Sequence, residues 1–434
     1  MAHEADDTGW VARDAAVVWH GFTQMASYAD NSPIIVESAE GHDLIDVDGR
    51  RYLDAISSLW VTTLGHRVPE LYEAVRAQLD RVAHSTLLGN GSRVVIEFAE
   101  ALAPRLPLDD PRLLFASDGA AAVEQALKIA FQFWTNQGVT SRNRFLAFGG
   151  AYHGDTIGSL SVGAGGFGTS IFDPLRFATL RAPSFEEPDC LAVACDLIAA
   201  HAHELAAVIV EPLVQGAAGM SMRPADEFAA LGAACRAHDV LLICDEVATG
   251  FGRTGTLFAS EQCGLRPDLM SIGKGITGGY LPMSATAASA RVAAAFDGPD
   301  LSEKTLYHGH SYGGNALAAA VSLRHLELID EWNVLANVTE RAKQLEARLA
   351  ADVATLPAVR AVRQQGLMVG VELDPPGDGL RWGRRTTAAC VARGVLLRPL
   401  GDVMVIMPPL TITEPEIDRI ADTLRDAVVE ACVS

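Results

Sequence analysis

Three short, almost wholly apolar runs constrain this chain most: Leu205 to Pro212, Val240 to Asp245 and Leu269 to Gly273. A strand that is apolar on both faces must be covered on both faces. Helical stretches such as Pro224 to His238 lie between the runs to provide that cover. This strand–helix–strand alternation predicts an α/β fold, a mainly parallel sheet with helices on either side. Such sheets hold ligands at the carboxyl ends of their strands. Asp245 ends the second run and Lys274 directly follows the third, so both are predicted at that edge.

At 434 residues the chain is too long for one ordinary core. Residues 1–55 read as an N-terminal segment that packs with a smaller domain, 56–320 as a large domain, and 321–434 as a small α+β domain. Asp43 to Leu53 is predicted as a hairpin turning at Asp48-Gly49. Asp118 to Trp134 is a strong helix, with Val123, Ala126, Leu127, Ala130, Phe131 and Trp134 on one face and Ser117 or Asp118 as cap. Glu340 to Leu356 reads as an exposed helix. Thr413-Glu-Pro-Glu416 is a capping box opening a last helix that buries Ile417, Ile420, Ala421, Leu424 and Val428.

The net charge of −20 argues against a nucleic-acid partner, which needs a basic patch. No apolar run approaches the roughly 18 residues that span a bilayer. The acidic start, Met1 to Asp7, has no leader-like apolar core. The seven cysteines are irregularly spaced with no C-x-x-C, which predicts free thiols in a reducing cytoplasm. Cys244, beside Asp245, reads as a small buried filler.

Lys274 is a lysine in a run with almost no other charge. An amine in an apolar pocket has a lowered pKa and can condense with a carbonyl. A carboxylate at the end of a buried strand, as Asp245 is predicted to be, can hold a proton on a pyridine ring. Together they are what pyridoxal 5'-phosphate (PLP) asks of a protein. Ser117-Asp-Gly-Ala-Ala121 opens the strong helix and can offer backbone N–H groups to a phosphate. Tyr152 lies in a glycine-rich turn, Gly149 to Thr156, from which a flat ring can stack on a pyridine. Gly163-Ala-Gly-Gly-Phe-Gly168 matches a dinucleotide fingerprint, but Thr169 to Pro174 is not the helix that must follow one, so the match is set aside. Arg398, a lone charge after an apolar strand, suits either a substrate carboxylate or a structural ion pair. His308 and His310 lack an acidic or cysteine partner nearby, so no metal is predicted.

Asp245-Glu-Val-Ala-Thr-Gly-Phe-Gly-Arg-Thr-Gly255, Pro267-Asp268 and Gly273-Lys-Gly-Ile-Thr-Gly-Gly279 resemble the signature of the class III PLP-dependent aminotransferases. The likeness runs from about Trp19 to Pro409. It implies the fold type I of PLP-dependent transferases and a homodimer with shared active sites. It gives Lys274 the cofactor linkage and proton shuttle, Asp245 the pyridine nitrogen, Tyr152 and Val247 the two ring faces, and Gly119 and Ala120 the phosphate. Ser311 would reach the phosphate bound by the second subunit. Arg398 would take a substrate carboxylate with Glu211 as its gate, and Trp60 would wall the substrate pocket. Trp19 to Met25, Ser57-Ser-Leu-Trp60, Tyr152 to Thr156, Val214-Gln-Gly216, His308 to Ser311 and Arg398 to Gly401 most resemble the biotin-pathway branch. That branch aminates 8-amino-7-oxononanoate to 7,8-diaminononanoate, with S-adenosylmethionine or lysine as donor. Phe22 and Val405 stand where users of S-adenosylmethionine usually carry tyrosines, which leans towards lysine. The alternative is an ω-aminotransferase acting on another diamine or ω-amino acid.

Overall fold

The computed structural model describes residues 9–31, 33–164, 168–377 and 379–432. Its largest sheet has seven strands in the order Arg112–Ala116, Ser284–Ala288, Leu269–Ile272, Leu241–Asp245, Leu205–Val210, Arg144–Phe148 and Leu180–Ala182. The three apolar runs are its adjacent middle strands and pair in parallel, with Ile243 between Leu269 and Ile209. Every residue of these strands is buried, as their composition demands.

One strand breaks the parallel pattern. Ser284–Ala288 runs antiparallel to both neighbours. Its small residues carry no strand signal in sequence, yet they let the helix Gly119–Asn136 approach closely. Ser284 Oγ donates to the Asp118 carbonyl at 2.6 Å and Thr286 Oγ1 to the Ala122 carbonyl at 2.7 Å. Asp118 caps that helix, accepting from the Ala121 N–H at 2.9 Å. Val123, Ala126, Leu127, Ala130 and Trp134 are buried as expected, but Phe131 is 47% exposed. The buried arc continues the other way round the helix, through Ala122, Gln125, Ile129 and Phe133, and leaves Phe131 on its rim.

A second core joins residues 53–71 with side chains from 321–428. A four-stranded antiparallel sheet, Val359–Gln365, Met368–Leu373, Val403–Ile406 and Arg398–Leu400, contributes to it. The expected hairpin forms from Asp43–Asp46 and Arg51–Asp54, and its second strand pairs in parallel with Val395–Leu396. The helix expected over 340–356 runs instead over Val334–Asp352, and it is not simply exposed: Val334, Val338, Leu345 and Leu349 are buried. The last helix, Glu414–Ala431, buries all five residues assigned to its inner face.

Glu416 ties this helix to the N-terminal hairpin. Its carboxylate accepts from the Thr413 N–H at 2.8 Å and from His42 Nδ1 at 2.9 Å. Burial alone would raise its pKa, but the bonds from His42 and Thr413 outweigh burial and hold it down at about 2. A depressed carboxyl contributes stability at neutral pH that is lost as pH falls through its unfolded value towards its folded one. Glu416→Gln should therefore cost about 1–2 kcal/mol at neutral pH. In thermal unfolding, the gap in Tm between variant and parent should narrow from about pH 7 to about pH 3; a gap that widens in acid would refute the assignment.

Candidate active site

The middle strands end beside four segments that glycines allow to converge. A side chain at Gly119 would meet Val247 Cγ1 at 2.6 Å, and one at Gly154 would meet Ala120 Cβ at 2.4 Å. One at Gly273 would meet Val247 Cγ1 at 3.4 Å and the Gly119 Cα at 3.6 Å. The start of helix Gly119–Asn136, the turn around Tyr152, the end of strand Leu241–Asp245 and the Lys274 turn are thus packed against one another. Any Cβ at these positions would fill the space between them.

Lys274 begins a short 3₁₀ turn, Lys274–Thr277, with φ at +45°, a left-handed conformation rare for a side-chain-bearing residue. Its Nζ lies 4.7 Å from the centre of the Trp60 ring. Burial pushes the amine's pKa down, against the opposing pull of Asp245 and Glu211. A neutral amine, the nucleophilic form, is thereby made more accessible. Trp60 is 8% exposed, its own φ is +65°, and its indole Nε1 is buried without a hydrogen-bond partner among the described residues. Gly216 lets the indole approach, since a Cβ there would sit 3.0 Å from it.

Asp245 is 4% exposed. Its carboxylate accepts from the Val247 N–H at 3.0 Å and from His153 Nδ1 at 2.6 Å. His153 lies in the same glycine-rich turn as Tyr152, and nothing local in the sequence pairs it with a strand end 92 residues on. No local signal assigns a role to the neighbouring carboxylate, Glu246, either. It is fully buried and accepts from the Ala259 and Ser260 N–H groups and from the Thr249 and Ser260 hydroxyls, which makes it a brace for the loop after the strand.

Tyr152 is half-buried. Its hydroxyl donates to Asp155 at 2.9 Å, and burial followed by that carboxylate pushes its pKa up. Its N–H donates to Glu211 at 3.1 Å, and the Gly216 N–H donates to the same carboxyl at 3.3 Å. Burial pushes Glu211 up to about 7, so its charge changes near neutrality.

The structure thus gathers Lys274, Asp245, Trp60, Tyr152, Glu211, Gly119, Ala120 and Val247. Phe22, Arg398 and Ser311 are exposed. Arg398 makes no ion pair among the described residues; across the ladder it faces Val405, which is buried in the same apolar cluster as Trp60. The Ser311 carbonyl accepts from His84 Nε2 at 2.7 Å. Of the glycine-rich loop at 163–168, Gly165, Gly166 and Phe167 lie outside the described residues, and a 3₁₀ turn, Thr169–Leu175, follows.

The donor set fits PLP. A buried amine of lowered pKa suits an aldehyde, and a buried carboxylate suits a protonated ring nitrogen. A helix start with side-chain-free space suits a phosphate.

The family described as aminotransferase class-III matches residues 24–428. An adenosylmethionine-8-amino-7-oxononanoate aminotransferase of Nitratidesulfovibrio vulgaris is 46% identical, with 96% of this chain and 81% of the relative aligned. A protein of the same name from Anoxybacillus flavithermus is 40% identical, with 97% and 96% aligned. The solved structure of the enzyme of that name from Methanocaldococcus jannaschii superposes with a TM-score of 0.93 at 39% identity, over 97% of this chain and 98% of that one. An amine transaminase from an uncultivated Pseudomonas species, in its PLP-bound form, gives 0.91 at 32% identity over 96% and 99%. A match across nearly the whole chain, joined to a buried lysine and aspartate at the sheet edge, makes this chain a member of the class III aminotransferases.

Proposed function

We propose that this chain is a PLP-dependent aminotransferase that converts 8-amino-7-oxononanoate to 7,8-diaminononanoate in biotin synthesis, with S-adenosylmethionine as donor. The chemistry rests on one observation, the Lys274 amine and the Asp245 carboxylate in one buried pocket. The substrates rest on near-full-length relatives of 46% and 40% identity that carry those names. The lean to lysine drawn from Phe22 and Val405 weighs less than that likeness.

When bound, PLP supplies an aldehyde that links to amines and a ring that draws electrons from the substrate carbon. Lys274 Nζ would hold it and, once displaced by the donor amine, would take the proton from the donor carbon and later return one to the product carbon. Asp245 would keep the ring nitrogen protonated, with His153 holding the Asp245 carboxylate in place. Tyr152 and Val247 would cover the ring. The Gly119 and Ala120 N–H groups would hold the phosphate, joined by Ser311 of the partner subunit. Trp60 walls the substrate pocket beside Lys274, Phe22 lines its mouth, and Arg398 takes the substrate carboxylate. Glu211, neutral or charged near pH 7, adjusts the pocket's charge to a carboxylate or an ammonium.

We further infer a homodimer. Leu88, Tyr307 and Tyr312 are each more than 60% exposed around the loop that carries Ser311, and a second copy would cover them. We take 321–434 as the small domain, the N-terminal segment 1–55 as packing with it, and 56–320 as the large domain, from which Leu64, Val68 and Leu71 reach into the same core as side chains of 321–428. Seven free cysteines fit the cytoplasm.

Purified protein should be yellow, and Lys274→Ala should lose both the lysine-linked absorbance and all amino transfer; a variant that still turned over would end the proposal. Mixed separately with the two donors, the cofactor band should bleach with S-adenosylmethionine at low concentration and not with lysine. Turnover with pyruvate or 2-oxoglutarate but not with 8-amino-7-oxononanoate would favour the ω-aminotransferase reading, which the amine transaminase likeness keeps open.

His153→Phe removes a charge-assisted bond and should slow amino transfer by at least about ten-fold while PLP stays bound. An unchanged rate would show that Asp245 needs no such support. For Glu211 the sign is opposite to that for Glu416: its raised pKa contributes stability at low pH that is lost as pH rises from its unfolded value through about 7. Apoenzyme carrying Glu211→Gln, which keeps the acceptor oxygen, should show a flatter fall in Tm from about pH 5 to about pH 8 than its parent. Parallel curves would contradict the raised value.

A further inference from the structure

The loop from His308 to Tyr312 is fastened to the phosphate-end helix at two points, and one of them fixes a proton. The Tyr312 N–H donates to His310 Nδ1 at 3.1 Å, so that nitrogen carries the lone pair. The ring of neutral His310 therefore carries its proton on Nε2, which lies 3.0 Å from Ser117 Oγ and donates to it. The Ser117 hydroxyl donates its own hydrogen bond to Asp118 Oδ2 at 3.2 Å. Asp118 Oδ1 in turn accepts from the Ala121 N–H, the cap of helix Gly119–Asn136. Every group in this chain has one direction in which it can donate. The second fastening is Lys128 Nζ, on the same helix, which donates to His308 Nδ1 at 3.1 Å.

We propose that His310 is a positioning residue that couples the two cofactor sites of the dimer, joining the helix start that cradles one phosphate to the loop whose Ser311 completes the other site. This rests on the phosphate and Ser311 assignments made above. Through Ser117 and Asp118, His310 feels the order of Gly119 and Ala120 in its own subunit. Through its bond from the Tyr312 N–H it sets the loop one residue from Ser311. A phosphate bound at the first site orders the cap, the cap holds His310, and the second site meets a loop already in place. The second phosphate then binds with less ordering cost, which is positive coupling.

Two substitutions separate the two ends of the histidine. His310→Asn keeps an acceptor for the Tyr312 N–H two residues on, as an Asx turn does, but is too short to reach Ser117. His310→Gln has the length to donate to Ser117. The test titrates PLP into full-length dimeric apoenzyme, read by the lysine-linked absorbance and by tryptophan fluorescence. The parent should bind with a Hill slope above one. His310→Asn and Ser117→Ala should each bring the slope to one and weaken PLP about five-fold or more, the scale of one hydrogen bond. Because both remove the same bond, the double variant should cost no more than either alone, and His310→Gln should keep the parent slope. A parent slope of one, a His310→Asn variant that titrates like the parent, or costs that add in the double variant would each overturn the coupling. A parent that develops no absorbance with PLP would instead overturn the cofactor assignment beneath it.

Discussion

A buried amine facing a buried carboxylate is the constraint on which the structure turns. Neither group could be left alone in an apolar interior, because desolvation penalises each charge severely. The fold resolves this by placing Asp245 at the end of one strand and Lys274 just past the end of the next, in register across a parallel pair. The carboxylate is further supported by His153 and the Val247 N–H. The amine packs against the Trp60 face, and burial lowers its pKa against the pull of Asp245 and Glu211. The pocket thus makes the amine more nucleophilic while fixing the carboxylate in place near it.

The surroundings follow from that placement. Glycines at 119, 154 and 273 keep the space beside the pair free of side chains. Arg253, fully buried, donates through its guanidinium to the Thr62 and Pro408 carbonyls. His325, also buried and with its pKa held down at about 3 by burial, lies 2.6 Å from Thr63 Oγ1. The Thr63 N–H in turn donates to the Gly278 carbonyl at 3.3 Å, which fastens the segment that presents Trp60 to the end of the turn that presents Lys274.

What could be read from sequence was what is local. The apolar runs announced buried strands because both of their faces had to be covered, and the capping box at Thr413 announced its helix because the pattern is complete within four residues. Lys274 and Asp245 stood out because each is a charge at the edge of an apolar run. The partnerships were not legible. His153 and Asp245, Gly119 and Val247, and His310 and Ser117 are close only after the sheet has formed. Ser284–Ala288 hid as a strand because its small residues answer the approach of a helix rather than a strand propensity. Phe131 was placed on the wrong side of a correct helix because the buried arc extends further in one direction than in the other.

The central claim is that one particular amine carries the cofactor. The chain has only four lysines, Lys128, Lys274, Lys304 and Lys343, and the other three are exposed. Borohydride reduction of the purified holoenzyme, followed by peptide mass spectrometry, reads the attachment point directly. The account predicts the added mass of reduced PLP on the peptide containing Lys274 and on no other. Label on Lys128, Lys304 or Lys343, or no label in protein loaded with excess PLP, would contradict it.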